Sequence, residues 1–414
     1  MRSEREHMKK ALDLISVLLL AAGAVYYLGG SFSGLAALSS GAALYLFNIY
    51  YFQGKEKTLS AVKKYLSRLI VPLIGIAAAV VSGAVIMLLT GYDPIESYTA
   101  LFYGGFVKNW YVAVLNATPL IFTGLSIAFA FKAGLFNIGA EGQYYIGAMA
   151  GAWLGFKLEL PPLIAIILVY AAGSFLASLW NFIPALLKVK TGAHEVITTM
   201  MFAHIARYLS PIFIRAFGGD PATSTHPYVT WELPESSWLL SFKSFIPDAN
   251  YRLHTGILIA VAAAFFVSYV LENTKTGFEI KAVGFNKEAA RVQGISVGKN
   301  IFIAMMFAGA LAGMAGITQV LGLDHKLFEN LQAGYGWNGI SVALLASNNP
   351  VGVIFTSLLW GALDAGGQYM ARTTHTPNSI VEIIKGIMLF LIVAKYIYIY
   401  AARLIKKKKG GGSV

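Results

Sequence analysis

The chain has 414 residues, 57% of them hydrophobic and only 13% charged, with 32 Lys and Arg against 20 Asp and Glu and a mean hydropathy of +0.64. A water-soluble domain carries about 25% charged residues, so the composition argues against a soluble enzyme or binding module and for lipid as the solvent. Cysteine is absent, which removes disulfides, thiolate catalysis and cysteine metal sites.

In chain order, apolar runs occupy about 11–29, 33–51, 69–90, 111–131, 136–156, 161–186, 195–216, 255–271, 300–321, 336–347, 351–371 and 379–402. Backbone groups in hydrocarbon must be satisfied within their own segment, so these runs are expected as helices. The alternating stretches of a transmembrane barrel are not found. The predicted fold is all-α: a polytopic membrane helical bundle of about ten core transmembrane helices plus an extra N-terminal hairpin at 11–51. The run at 336–347 is too short to cross alone and reads as a half-helix. The expected organisation is a segment 1–64 with a cytoplasmic start and the hairpin, a transmembrane domain 65–405, and a basic, Gly-rich tail 406–414. Within the domain, 217–253 is expected outside the cell and 272–299 inside.

Twelve passes place both termini on one side, and basic residues mark the cytoplasmic side of a membrane protein. Segments expected inside hold 22 of the 32 Lys and Arg, those outside seven, and three lie within spans (Arg207, Lys385 and Lys395). This 22-to-7 split predicts cytoplasmic termini in the inner membrane. It also accounts for the net charge of +12 without invoking nucleic acid.

The inside segment 272–299 carries a local signal. Asn286 is suited to cap a short helix, Lys287 through Val292 are helix formers, and Gly294 is suited to end it. A short, stopped helix between two spans is a rigid peg for another protein. Further upstream, Ala133-Gly134-Leu135-Phe136-Asn137-Ile138-Gly139-Ala140-Glu141-Gly142-Gln143 places glycines and three polar side chains at the start of a span. Asn137 and Glu141, four apart, are expected on one helix face. Together with Gln143 they are expected to face an aqueous cavity, because a carboxylate facing lipid is costly. Asn116 and Asp364 are added as candidates for the same solute path.

Several pairs have a simpler structural reading. His194 and Glu195 sit at a helix start, where Glu suits the dipole. His204 and Arg207, three apart, share a face and read first as a polar contact within the bundle. Glu382 and Lys385 read as an internal ion pair, and Asp364 and Gln368 lie one turn apart. There is no Gly-x-x-x-x-Gly-Lys-Ser/Thr loop for ATP, no metal signature and no nucleophile elbow. No catalytic residue and no directly bound cofactor or metal is therefore expected.

The Gly134–Gln143 string, with Tyr92-Asp93-Pro94, Thr118-Pro119-Leu120, Glu195 to Met201, Ala282 to Asn286, Gly336 to Leu345 and Asn348-Asn349-Pro350, resembles the permeases of nucleoside and simple-sugar ABC importers within the branched-chain amino acid/ribose permease superfamily. The resemblance covers about residues 65–400. It departs at the hairpin 11–51 and at His194, where a small polar residue such as Asn is expected. Glu288-Ala289-Ala290 followed by Gly294-Ile295 resembles the coupling loop of such permeases. The resemblance implies that Asn286, Glu288, Ala289, Ala290, Gly294 and Ile295 dock on ABC ATPase subunits that hydrolyse the ATP. It implies a second permease subunit and an extracytoplasmic solute-binding lipoprotein, and nucleosides as the solute. Simple sugars are the alternative, and an ion-coupled secondary transporter is a weaker one, favoured by Glu141, Asp364 and Glu382 in or near spans.

Overall fold

A computed structural model describes residues 74–158, 160–217, 229–244, 252–329, 331 and 334–394. The expected hairpin at 11–51 and the tail 406–414 lie outside them. The chain divides into two units, one of which is Tyr98–His375, while the described parts of the other are 74–97 and 376–394.

Among the described residues the apolar runs are helices, and six helices are long and apolar enough to cross a membrane. The first described helix is α1 (Ile74–Leu89). It is followed by α2 (Pro94–Phe102), a π-helical segment Tyr103–Lys108, α3 (Trp110–Lys132) and α4 (Ala140–Lys157). The run at 161–186 does not stay one straight helix: α5 (Pro162–Trp180) hands over at Asn181 to α6 (Phe182–Thr191). Pro184 has no N–H to offer the Trp180 carbonyl, which favours the break, and the Asn181 amide donates to the Met305 carbonyl at 2.6 Å. Then come α7 (Glu195–Phe217), α8 (Gly256–Asn273), α9 (Lys275–Phe285) and α10 (Lys287–Val292). The remainder are α11 (Val297–Gln319) with a π-helical extension Val320–Asp324, α12 (Tyr335–Leu345), α13 (Pro350–Thr373) and α14 (Ser379–Val393).

In the larger unit, α3 and α11 are the central helices. From Ala113 to Ala130 every residue of α3 is buried, a helix apolar all round and enclosed by others. It packs on α11, α12 and α13, while α4 packs on α11, α5 and α7. Small residues allow this: Gly147 and Gly316 on α4 and α11 leave no room for a Cβ against the backbone of the partner helix. The turn between α12 and α13 is built by positive φ at Ser347 and Asn348, after which the Asn349 carboxamide oxygen accepts from the Gly352 N–H at 3.0 Å.

The outer segment expected at 217–253 is tied down where it is described. Thr230 N–H donates to the Leu327 carbonyl, Leu233 N–H to that of His325 and Leu239 N–H to that of Leu321, all at 2.8–2.9 Å. The indole of Trp238 stacks on the His325 ring with centroids 3.8 Å apart. Beneath them the buried His254 ring fits against Gly256 and Gly322, and its Nδ1 accepts from the Gly256 N–H. Burial, reinforced by the nearby positive charge of His325, pushes His254 down to about 4.

In the other unit, Ser97 and Thr376 share a hydrogen bond of 2.8 Å. The sequence pair Glu382 and Lys385 meets at 2.8 Å, with the lysine buried.

Candidate functional site

The Gly134–Gln143 string does not enter helix at once. The Asn137 side-chain oxygen accepts from the Gly139 N–H at 3.2 Å, holding the backbone in a turn, so that helix begins only at Ala140. Asn137 is thus outside the helix and does not share a face with Glu141. It pairs instead with Gln143: each amide donates to the other's oxygen, at 3.0 and 3.1 Å. Ser126 Oγ on α3 accepts a further bond from the Asn137 amide at 3.3 Å.

Glu141 makes a long-range link. Its two carboxylate oxygens accept the N–H groups of Gly334, at 2.7 Å, and Gly336, at 2.6 Å. These are the open N–H groups at the start of α12, which every helix must satisfy from outside, and a carboxylate there also suits the helix dipole. Gly336 is required at that point, because a Cβ would collide with the Glu141 backbone. Thr123 on α3 holds the same turn by donating to the Tyr335 carbonyl at 2.9 Å. The three motif side chains therefore do not face water. Asn137, Glu141 and Gln143 are 0, 3 and 1% exposed, because each finds its polar partners inside the protein. Asn116 is buried on α3, and Asp364, half-buried on α13, interacts electrostatically with the Tyr335 phenol.

Two polar residues that do reach the surface of the membrane region lie on α7. Its buried stripe, Glu195, Thr199, Ala203, Ala206, Ser210 and Ile214, seats on α4, and Glu195 is bound by Lys188 of α6 at 2.7 Å. His204 and Arg207 point away from that stripe and are exposed, so the face they share is not the one packed on α4. The His204 ring lies 6.4 Å from the ring of Trp337 on α12, and Arg207 is near enough to Glu141 to act on its carboxylate. The sequence offered Trp337 no role; the signal available was its place in the first turn of a half-helix.

The segment expected inside folds as a hairpin. Asn286 Oδ1 caps α10, accepting from the N–H groups of Glu288 and Ala289 at 3.0 Å each. Gly294, at φ +78, closes it, with the Ile295 N–H returning to the Ala290 carbonyl at 3.0 Å. Ala290 is buried, whereas Phe285 and Val292 are 90 and 85% exposed. The hairpin is joined to the bundle through α9: Glu279 accepts from the Asn300 amide of α11 at 3.0 Å. Gly284 also meets Gly134 backbone to backbone, where a Cβ on Gly284 would strike the Lys132 carbonyl.

No metal-binding group of His, Asp or Glu occurs among the described residues. Residues 111–393 match the family described as branched-chain amino acid transport system, permease component. A guanosine ABC transporter permease of Bacillus subtilis is 37% identical over 349 residues, covering 83% of this chain and 99% of the relative. A nucleoside ABC transporter permease of Lactococcus lactis is 33% identical, over 83% of this chain and 98% of its own length. A glucose ABC transporter permease of Haloferax volcanii is 31% identical, over 82 and 91%. No solved structure matches the chain significantly. A half-helix pinned inside a bundle of membrane spans, a capped peg between two of them and these alignments over most of the chain agree: the protein belongs to the ABC transporter permease family of the branched-chain amino acid type, a multi-pass membrane transport subunit rather than an enzyme.

Proposed function

We propose that this permease carries nucleosides inward as the membrane subunit of an ATP-driven importer. The observation that carries the coupling half of the reading is the α9–α10 hairpin, a capped and closed helix presenting Phe285 and Val292 to solvent. Large apolar side chains exposed on a water-facing loop mark a partner surface. The partner is the ATPase, which uses the ATP, and Asn286, Glu288, Ala289, Ala290, Gly294 and Ile295 form the peg it grips. Support for the solute comes from the B. subtilis and L. lactis relatives, named as guanosine and nucleoside permeases. The haloarchaeal glucose permease supports simple sugars as the second reading.

In this proposal about ten core helices in 65–405 follow the hairpin of 1–64, and both termini are cytoplasmic. A second permease, identical or homologous, completes the pathway, and an extracytoplasmic binding lipoprotein delivers solute to the outer segment 217–253. Asn137, Glu141 and Gln143, with Asn116 and Asp364, form the supporting wall of the pathway beside the broken helix.

The test is uptake into vesicles holding the whole importer. Nucleoside uptake should stop on ATP depletion and survive an ionophore; the reverse pattern identifies an ion-coupled transporter. Excess glucose failing to compete separates nucleoside from sugar. Replacing Phe285 and Val292 together by Ser should abolish uptake while the permease remains inserted. Unchanged uptake would remove the peg.

A further inference from the structure

We infer that His204, Arg207 and Trp337 form a contact site for a 6-oxopurine nucleoside at the middle of the membrane. The inference rests on the nucleoside reading above and adds to it the place and chemistry of recognition.

Depth comes first. α7 has 23 residues, and His204 and Arg207 are its tenth and thirteenth. At about 1.5 Å per residue such a helix just crosses a hydrocarbon core of about 30 Å, so both side chains lie near its centre. An arginine there, facing lipid, costs on the order of 2.5 kcal/mol or more. The face that carries it is therefore turned to water or to polar groups, and Glu141 stands behind it as the counter-charge.

Architecture agrees with depth. α12 is only 11 residues long and begins at this level, with Trp337, 37% exposed, in its first turn beside His204. Interrupted helices whose ends meet at the midplane are where transporters place their solutes.

The side chains specify the solute. An exposed indole face suits stacking with a planar base, worth about 1–3 kcal/mol per base. The arginine fork matches two acceptors side by side, and O6 with N7 of guanine is that arrangement. His204 adds one more hydrogen-bonding group. Uracil offers no two adjacent acceptors, since its O2 and O4 flank the N3–H donor, so discrimination between guanosine and uridine should depend on Arg207.

The absence of cysteine gives a clean test in vesicles holding the complete importer. His204→Cys, Arg207→Cys and Trp337→Cys should react with a hydrophilic cationic thiosulfonate, and guanosine should protect them. Ile167→Cys on the apolar exposed face of α5 should not react. In parallel, Arg207→Lys, confirmed as inserted, should lower guanosine uptake about tenfold and uridine uptake far less, since one well-formed bidentate contact is worth about 1–3 kcal/mol of discrimination. An equal fall for both nucleosides would reduce Arg207 to a structural part. Wild-type importer that takes up no nucleoside sinks the proposed solute class, and this site with it. Wild-type uptake combined with reactivity at all three positions no higher than at Ile167→Cys, or with no protection, sinks the site alone.

Discussion

Two polar regions lie at the start of α12, and they differ in what each side chain touches. The motif cluster, Asn137, Gln143 and Glu141, is buried, and its side chains are engaged by one another, by Ser126 and by the N–H groups of Gly334 and Gly336. His204 and Arg207, on the exposed face of α7, stand only one helix away. Buried polar groups that are mutually satisfied fix a unique geometry, whereas polar groups left at the surface inside a membrane mark where solute or ions pass. A motif rich in polar residues can therefore be the frame of a pathway while the contacts come from less conspicuous neighbours.

The largest test of this contrast is Glu141→Ala. It leaves the start of α12 without its acceptors and should destabilise the protein by about 3 kcal/mol or more, since hydrogen bonds to charged groups contribute roughly 1.5–3 kcal/mol each. A melting temperature in detergent unchanged from wild type would contradict the frame role. Outside the membrane the same logic applies to His254, which is buried beside His325, itself acted on by Glu232 and Arg252, while Arg252 also acts on Asp324. The folded value of His254 lies below the usual 6.5, so the unfolded segment binds the proton more readily. The stability of the outer segment should be full above pH 6.5, fall as pH drops and level off below about 4, a loss of roughly 3 kcal/mol at most. Hydrogen exchange of residues 229–244 and 321–328 reads this directly, and His254→Asn should flatten the profile.

A smaller effect is expected for the amide pair. Asn137→Ala and Gln143→Ala should each cost about 1–3 kcal/mol by leaving a buried partner unsatisfied. In a double-mutant cycle the two should couple by about 1 kcal/mol; additive losses would show that the reciprocal pair is not one unit. Smallest of all, Arg207→Gln should move thermal stability by no more than about 0.5 kcal/mol, as for an exposed side chain, and yet depress guanosine uptake. A melt as damaged as that of Glu141→Ala would erase the distinction between frame and contact.

What the sequence revealed followed the range of each interaction. The Asn286 cap and the Gly294 stop were readable because their partners lie within a few residues. The half-helix was readable from its length. The partners of Glu141 are 193 and 195 residues away, and nothing local announces them. Asn137 was assigned the wrong neighbour for a local reason: its side chain takes the Gly139 N–H and delays the helix, so four-residue spacing does not apply. For His204 and Arg207 the spacing gave a shared face but not what covers it, which depends on how α4 and α6 seat α7.

The junction of Gly134 with Gly284 has a mechanical meaning. The α9–α10 hairpin meets the C-terminal end of α3 through bare main chain at Gly284, with no pliable side chain to be squeezed before motion is passed on. On the proposed coupling, a displacement of the hairpin would pass to the Asn137 turn with no side chain at this junction to absorb it. On the same proposal, one methyl group added at Gly284 would spoil that fit, and ATP hydrolysis would then run on without moving solute.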